Sequence, residues 1–331
     1  MTRKWNADAL LELIRGFQPA CILAAAADLD VFTILRDSPA TAAVAAARVG
    51  AAPHAMAVLL DALAALGLLT KQGDCFTVPA DVAEWLTEDS PTNILPGIRH
   101  QANCLRRWAQ LARVVQMGRP AERASSVRGE QGDCESFIGA MNNFSETVAP
   151  LVVSRLMPLR VERLLDIGGA SGTWTIAFLL AVPDATAVLF DLPEVVPLAR
   201  ERLTRAGLVD RVTLVAGDYN IDPMPGGADL AWLSAIAHQN SRRQNRLLYT
   251  KIYAALAPLG TLVIRDVVMD VSRTEPRAGA LFAVNMLTAT EGGGAFTFDE
   301  FREDLESAGF SDVQLLHRDE GMNSLIRARK L

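Results

Sequence analysis

Residue types that would indicate particular chemistries are scarce in this sequence. Its 331 residues include four cysteines, and no two of them form a C-x-x-C pair. Scattered cysteines argue against a zinc site and against a disulfide framework. They are typical of a reducing compartment, so we expect a cytoplasmic protein that uses no metal.

An excess of basic residues is also absent. The chain carries 32 Lys and Arg against 38 Asp and Glu, a net charge of −6. An acidic balance argues against nucleic acid and anionic membranes as partners. The N-terminus lacks the apolar core of a signal peptide, and no apolar run approaches the roughly 18 residues of a membrane span. We therefore expect a soluble protein.

Apolar residues, in contrast, make up 50% of the chain, and the length suggests two domains. Within residues 1–95, helical periodicity at 41–48 and 53–66 is followed by short β-like segments at 68–70 and 75–78. This order predicts a winged-helix domain. Residues 1–100 hold seven Lys and Arg against eleven Asp and Glu, and 53–66 contain none of the cations that DNA reading requires. The apolar face of that helix is better suited to packing against another chain or domain.

Residues 96–150 predict a helical connector. Trp108, Phe137 and Met141 lie on apolar helical faces within it. Ordinary core packing explains such a cluster, and an apolar substrate pocket next to a catalytic domain explains it equally well. We keep both interpretations and name these three residues as candidate substrate contacts.

Residues 151–331 alternate between strand and helix patterns. Strands are predicted near 162–167, 186–191, 211–216, 229–235 and 260–267, which implies a parallel sheet with helices on both faces. A helix at 298–308 and strands at 312–317 and 323–329 follow. The link between the last two strands is too short for a parallel crossover, so the last strand must be antiparallel.

A glycine-rich turn follows the first strand of this domain. A dinucleotide fold requires G-x-G-x-x-G, and neither Gly168 nor Gly169 starts such a pattern. The residues fit acid-x-Gly-x-small-x-Gly instead, with Asp166, Gly168, Ala170 and Gly172. A strand, such a turn and a helix let a ligand approach backbone N–H groups. The alternative is an ordinary tight turn.

Acidic residues end the next two strands as well. The two oxygens of the Asp191 carboxylate match the vicinal hydroxyls of a ribose. Asp218 is placed to accept from an adenine amino group, with Tyr219 against the ring face. Open α/β sheets bind ligands at the carboxyl ends of their strands, so together these residues predict a nucleoside site.

With these motifs, the chain resembles the small-molecule O-methyltransferases of bacteria and plants that use S-adenosylmethionine (SAM). The resemblance implies a class-I Rossmann-like α/β domain with a mostly parallel seven-stranded sheet and an N-terminal winged-helix dimerisation domain. It places Asp166, Gly168, Gly169, Gly172, Asp191, Leu192, Asp218 and Tyr219 at SAM, with S-adenosylhomocysteine as product. Ser234, where plant members carry Lys, is assigned to the same site. It also implies a homodimer.

His238 follows the fourth strand, where similar enzymes carry the general base in His-Asp-Trp. An imidazole near pKa 6.5 can take the proton of a phenol whose own pKa is near 10. Asp266 matches the first of the family's two orienting acids. Asn285 and Met286 resemble a substrate-facing segment of bacterial members. The chain departs from the family in Gln239-Asn240 after the His, and in Ala295-Phe296-Thr297 where a Glu-Arg-Thr segment holds the second acid.

The predicted function is transfer of a methyl group from SAM to a hydroxyl of a small, partly aromatic acceptor. Because one orienting acid is missing, a second hypothesis is a SAM-binding relative in which methyl transfer is lost or replaced by hydroxylation or decarboxylation. Transfer to carbon or nitrogen also stays open. A metabolite-sensing winged-helix regulator is a third hypothesis, which the acidic N-terminal domain disfavours.

Overall fold

The computed structural model describes residues 4–158 and 160–331, and its chain divides into two compact units. The first unit extends to Arg106 and also includes Arg123–Asn143. The second comprises Arg107–Glu122 and Phe144–Leu331. Residues 96–150, expected to form one connector, are thus divided between the two units.

The N-terminal part of the chain is mainly helical. Its elements are α1 (Ala7–Arg15), α2 (Phe17–Asp28), α3 (Val31–Leu35), β1 (Ala40–Thr41), α4 (Ala42–Val49), α5 (Pro53–Ala65), β2 (Thr70–Gln72), β3 (Cys75–Thr77) and α6 (Ala80–Leu86). After these come α7 (Leu95–Trp108), α8 (Leu111–Met117), which belongs to the second unit, and α9 (Gly129–Ser145).

A helix–turn–helix and a small sheet form the centre of the first unit. Gly50 ends α4 with φ +67°, and Pro53 occupies the first turn of α5. The strands pair antiparallel in the order β1-β3-β2, and Phe76 of β3 is buried with Phe32 and Leu60. The winged-helix pattern is therefore present, with its first wing strand two residues later than the 68–70 segment predicted.

The second unit continues with alternating strands and helices. These are α10 (Ala149–Ser154), β4 (Arg163–Ile167), α11 (Thr173–Ala181), β5 (Thr186–Asp191), α12 (Val196–Arg205), β6 (Val212–Ala216), β7 (Ala228–Ser234), α13 (Arg242–Ala255), β8 (Leu256–Asp266), β9 (Val268–Met269), α14 (Arg277–Ala289), β10 (Phe296–Thr297), α15 (Phe298–Ser307), β11 (Ser311–His317) and β12 (Ser324–Arg329).

Seven of these strands form one sheet in the order β11-β12-β8-β7-β4-β5-β6. β4 pairs parallel with β5 and β7, and β7 pairs parallel with β8. Only the pairings of β12 are antiparallel, both to β8 and to β11. The predicted fold class is therefore confirmed, including the direction of the last strand. Prediction missed the small parallel pair of β9 and β10.

Apolar side chains cover both faces of the sheet. One core contains Leu165, Leu233 and Ile264, and the other contains Leu164, Trp232 and Val263. Neighbouring residues on each strand thus belong to opposite cores, as strand geometry requires. The alternation decides which face each polar side chain at the strand ends occupies.

The N-terminal helices correct one expectation. By length and composition, Ala7–Asp28 is a 22-residue helical stretch apolar enough to cross a membrane, and 6% of its 18-residue window is buried. The bent pair Ala42–Val49 and Pro53–Ala65 is also long and apolar enough, if the two helices are taken together as one span. The sequence prediction considered uninterrupted apolar runs, and Glu12 and Arg15 interrupt this one. Composition of this kind is weak evidence for a membrane segment.

A buried carboxylate joins α13 to α15. The Asp304 side chain is 5% exposed and accepts hydrogen bonds from Arg242, through Nε at 2.9 Å and Nη2 at 2.8 Å, and from Arg246 Nε at 2.6 Å. The hydrogen bonds to Asp304 raise the pKa of Arg242. We expect Asp304→Asn to lower the free energy of unfolding by about 1–3 kcal/mol, because both arginines lose their buried partner.

Urea unfolding of Asp304→Asn and Glu303→Gln measures this contribution. Glu303 contacts the same Arg242 at 2.8 Å but is 62% exposed, so its variant should stay within about 0.5 kcal/mol of the parent protein. Equal changes in the free energy of unfolding for the two substitutions would contradict a special contribution from the burial of Asp304.

Candidate active site at the carboxyl ends of the strands

The glycine-rich turn after β4 needs its small residues for steric reasons. Gly168 and Gly172 have φ values of +64° and +81°, in the left-handed region that favours glycine. A Cβ on Gly169 would lie 2.6 Å from Leu189 Cγ and 3.0 Å from the Asp166 carboxyl. Ala170 also has a positive φ, +46°. The turn therefore brings its backbone close to the ends of β4 and β5.

Asp191 links this turn to the end of β5. Its Oδ2 accepts the backbone N–H of Ala170 at 2.7 Å, and its Oδ1 accepts that of Leu192 at 2.7 Å. Each carboxylate oxygen can accept about two hydrogen bonds, so one acceptor position remains on each. Burial is the main cause of the raised pKa of Asp191, and the two N–H bonds offset this effect only in part. The remaining positions match two neighbouring hydroxyls, so the residue fits a ribose.

Asp166 is directed into the protein instead. It is 1% exposed, and its Oδ2 accepts the Thr175 hydroxyl at 2.6 Å. Desolvation is the main cause that raises the pKa of Asp166 to about 7, and the charge of Asp191 adds to it. Through Thr175 this carboxyl fixes the first turn of α11 relative to β4. Sequence spacing alone did not reveal that orientation.

The end of β6 presents the predicted adenine residues. Asp218 Oδ1 accepts from the backbone N–H and the side-chain amide of Asn220, at 2.8 and 2.9 Å. Tyr219 packs against the sheet core, and burial together with Asp218 and Asp191 raises the pKa of its phenol. Leu192 is 38% exposed. An acid, an aromatic ring and an apolar side chain are thus available beside Asp191.

His238 and Asp266 meet at the ends of β7 and β8. The imidazole Nδ1 lies 2.9 Å from Asp266 Oδ1 and 3.1 Å from Oδ2. Asp266 is buried, and its oxygens also accept the backbone N–H groups of Val267 and His238, at 2.8 and 3.2 Å. Phe282 packs edge-on against the imidazole with centroids 4.7 Å apart. A carboxylate on Nδ1 favours the tautomer in which Nε2 carries the free lone pair.

The segment with the missing second acid packs directly on His238. Gly294 donates its N–H to the His238 carbonyl at 2.9 Å. A Cβ on Gly293 would collide with that carbonyl oxygen and with Thr290 Oγ1. A backbone hydrogen bond therefore joins this segment to the main chain of His238.

Two arginines that sequence reasoning missed support the strand ends. Arg202 of α12 donates through Nη1 to Ser171 Oγ and Thr173 Oγ1, both at 2.8 Å, and so braces the glycine-rich turn. Arg265 of β8 donates to the predicted cofactor residue Ser234 at 3.1 Å. No motif marked either arginine, because their partners lie about 30 to 58 positions away along the chain.

The predicted substrate residues separate into two groups. Trp108, Asn285 and Met286 belong to the second unit, where Trp108 Nε1 donates to Asn285 Oδ1 at 3.0 Å and Met286 is buried. Phe137 and Met141 belong to the first unit, where Phe137 packs edge-on against His100 at 5.3 Å. Within residues 4–158 and 160–331 no cluster of three or more His, Cys, Asp or Glu side chains is arranged to hold a metal ion.

Two family models match this chain. A model described as the O-methyltransferase domain matches residues 108–311, and one described as the O-methyltransferase dimerisation domain matches residues 11–89. The first covers more than half of the sequence and includes both the glycine-rich turn and the His238–Asp266 pair.

Individual proteins are similar over nearly the whole length. The 3-hydroxy-5-methyl-1-naphthoate 3-O-methyltransferase of Streptomyces sahachiroi is 30% identical over 92% of this chain and 90% of its own. The N,N-dimethyltransferase OxyT of Streptomyces rimosus is 28% identical over 92% of this chain and 91% of its own. The crystal structure of human N-acetylserotonin methyltransferase in complex with SAM superposes with a TM-score of 0.81 at 26% identity, covering 100% of this chain and 99% of that one.

The raised pKa of Asp166 predicts a pH-dependent stability. Because the folded protein holds this proton up to about pH 7 and the unfolded chain only to about 3.8, the folded state loses stability as the pH rises between these values. Asp166→Asn should remove up to about 4 kcal/mol of that decline. Urea unfolding of the ligand-free protein at several pH values measures it. Asp184→Asn, at an exposed position, should keep the parent's pH dependence, and parallel curves for all three proteins would contradict the prediction.

Proposed function

Because the chain belongs to the O-methyltransferase family of SAM-dependent enzymes, we propose that it methylates a hydroxyl of a small, partly aromatic metabolite with His238 as the general base. The observation that carries this proposal is the His238–Asp266 pair at the carboxyl end of the sheet. SAM, when bound, supplies a methyl group activated on a sulfonium. The chain's own residues must then bind, orient and deprotonate the acceptor.

His238 is suited to the proton transfer. The Asp266 carboxylate holds Nδ1, and Nε2 has no hydrogen-bond partner in the described part of the chain. An imidazole oriented in this way can accept a hydroxyl proton at Nε2 while the carboxylate stabilises the resulting cation. Among the described residues Asp266 is the one carboxylate that contacts the imidazole, so we expect the acceptor to be a fairly acidic hydroxyl such as a phenol.

The cofactor residues form a consistent donor and acceptor set. The free acceptor positions of Asp191 suit the ribose hydroxyls, and Leu192 and Tyr219 supply apolar surface for the adenine ring. Asp166 and Arg202 hold the turn itself, since their contacts are with Thr175, Ser171 and Thr173. We assign the first group to the ligand and the second to positioning.

Trp108 and Asn285 favour a polar, flat acceptor. The indole N–H occupies Asn285 Oδ1, so the Asn285 amide is left to donate. An oriented amide beside an aromatic ring binds an oxygen-bearing aromatic molecule. We propose Met286 as an apolar contact for the same molecule. The assignment of Phe137 and Met141, which belong to the first unit, to substrate binding stays a prediction from the sequence.

Transfer to nitrogen is the second candidate. The similarity to an N,N-dimethyltransferase and the missing orienting acid both favour it, because a neutral amine already has a nucleophilic lone pair and needs less help from a base.

The hypothesis that methyl transfer is lost or replaced makes a different prediction. Its product would not have gained a methyl group.

The dimerisation-domain match and an exposed apolar surface support a homodimer. Leu13, Ile14 and Phe17 are 58%, 67% and 52% exposed on α1 and α2. Exposed contiguous apolar residues of this kind are typical of interaction surfaces. We propose that α1 and α2 pair with a second copy of the chain, and that this pairing, rather than a membrane, covers Ala7–Asp28.

The base assignment predicts the effect of His238→Ala. Turnover with a phenolic acceptor should fall about 10²–10⁴-fold, whereas SAM affinity measured by calorimetry should stay within about twofold. His54→Ala, at an exposed position in α5, should leave both quantities unchanged. Unchanged turnover of His238→Ala on a phenol would remove His238 from its role. Mass spectrometry of the product shows whether a methyl group was gained and on which atom.

The homodimer proposal predicts that Ile14→Glu produces a monomer. A buried, unpaired carboxylate at the interface costs several kcal/mol of association free energy. Light scattering after size-exclusion chromatography measures the mass, and Leu247→Glu, at a 60% exposed site on α13, is the matched control. A parent protein that is monomeric at micromolar concentration would contradict the proposal directly.

A further inference from the structure

Arg265 is a buried cation without an acidic partner. The residue is 4% exposed, lies next to the last residue of β8, and faces the side of the sheet opposite to Asp266. Its Nε and Nη2 donate to Asn323 Oδ1 at 2.9 and 2.7 Å, and its Nη1 donates to Ser234 Oγ at 3.1 Å. It forms no ion pair with any carboxylate in residues 4–158 or 160–331.

Burial without a counter-ion is costly for a guanidinium. Desolvation lowers the pKa of Arg265 to about 10, and the more distant charges of Asp266 and Asp319 offset this only in part. Buried charges in proteins are normally paired. An apolar side chain of similar volume would avoid this cost if packing were its only role.

The hydrogen-bonding capacity of Arg265 is also incomplete. An arginine side chain has five N–H donors, and three of them are used by Asn323 and Ser234. One N–H on each terminal nitrogen is left without an acceptor among the described residues. Two donors on one guanidinium are what a carboxylate requires for bidentate binding.

The surroundings place this guanidinium near the glycine-rich turn. It stacks on Trp174 at 4.6 Å, and Trp174 lies in the first turn of α11, directly after that turn. Ser234, which holds Nη1, ends β7 beside β4. A helix N-terminus attracts negative charge, so the cation and the helix act on the same side of the cofactor site.

We propose that Arg265 binds the carboxylate of the amino-acid end of the cofactor, with Ser234 and Asn323 holding the guanidinium in place. The carboxylate supplies the missing counter-ion and two oxygen acceptors. Ser234 then belongs to the cofactor site through Arg265. This inference depends on the cofactor site described above, and the experiment below separates the two.

Calorimetry with two ligands tests the contact. S-adenosylhomocysteine carries the amino-acid end, and 5′-methylthioadenosine has the same ribose and adenine without it. In Arg265→Met, the affinity for S-adenosylhomocysteine should fall roughly 10- to 100-fold, while the affinity for 5′-methylthioadenosine stays within about twofold. The retained affinity for the second ligand also shows that the variant is folded. The affinity of Arg265→Lys for S-adenosylhomocysteine should lie between those of the parent protein and Arg265→Met. Lysine keeps the positive charge but lacks the planar pair of donors that binds a carboxylate.

Asp191→Ala is the control for the cofactor site itself. It should weaken both ligands to a similar extent, because both contain the ribose. Equal losses of both ligands in Arg265→Met would indicate a structural role, and no loss of either would overturn the proposal. A loss confined to binding of carboxylate-bearing acceptors would assign Arg265 to the acceptor, which also overturns it. If neither ligand binds the parent protein, the proposed cofactor site itself is wrong, and the role of Arg265 falls with it.

Discussion

Parallel pairing of β4 between β5 and β7 is the constraint on which the site depends. Ile167 lies opposite Phe190 on one side and Leu233 on the other, and Leu233 lies opposite Ile264. With these registers fixed, the chain segments after each strand leave the sheet at one edge. The glycine-rich turn, Asp191 and His238 therefore lie at the same end of the sheet, although they are far apart in sequence.

Alternation along each strand then gives this edge two chemically different sides. On β8, Asp266 faces His238 and neighbouring Arg265 faces Trp174. In our proposal these adjacent residues of opposite charge have different roles. Asp266 orients the general base, and Arg265 provides a cation toward the amino-acid end of the cofactor. A shift of one residue in register would exchange these sides and abolish both arrangements.

Buried carboxyl groups have different roles according to what surrounds them. Asp191 keeps acceptor positions free after binding two backbone N–H groups, whereas Asp166 is buried against Thr175 with a raised pKa. Asp304 neutralises two arginines and joins two helices. One side-chain type thus fixes a turn, supports packing or, in our proposal for Asp191, binds the ligand, depending on the number of its free lone pairs and on its partners.

The sequence determined the order of strands and helices, the turn after β4 and the direction of β12, because periodicity, turn residues and loop length act over short distances along the chain. The sequence also showed that Ala295-Phe296-Thr297 stands where the resembled family carries its second orienting acid. Only the tertiary structure decided that Asp166 turns inward, that Trp108 bonds Asn285 177 positions away, and that Arg265 is buried without a counter-ion. These features depend on which distant side chains share a face of the sheet, and that cannot be predicted from neighbouring residues in the sequence.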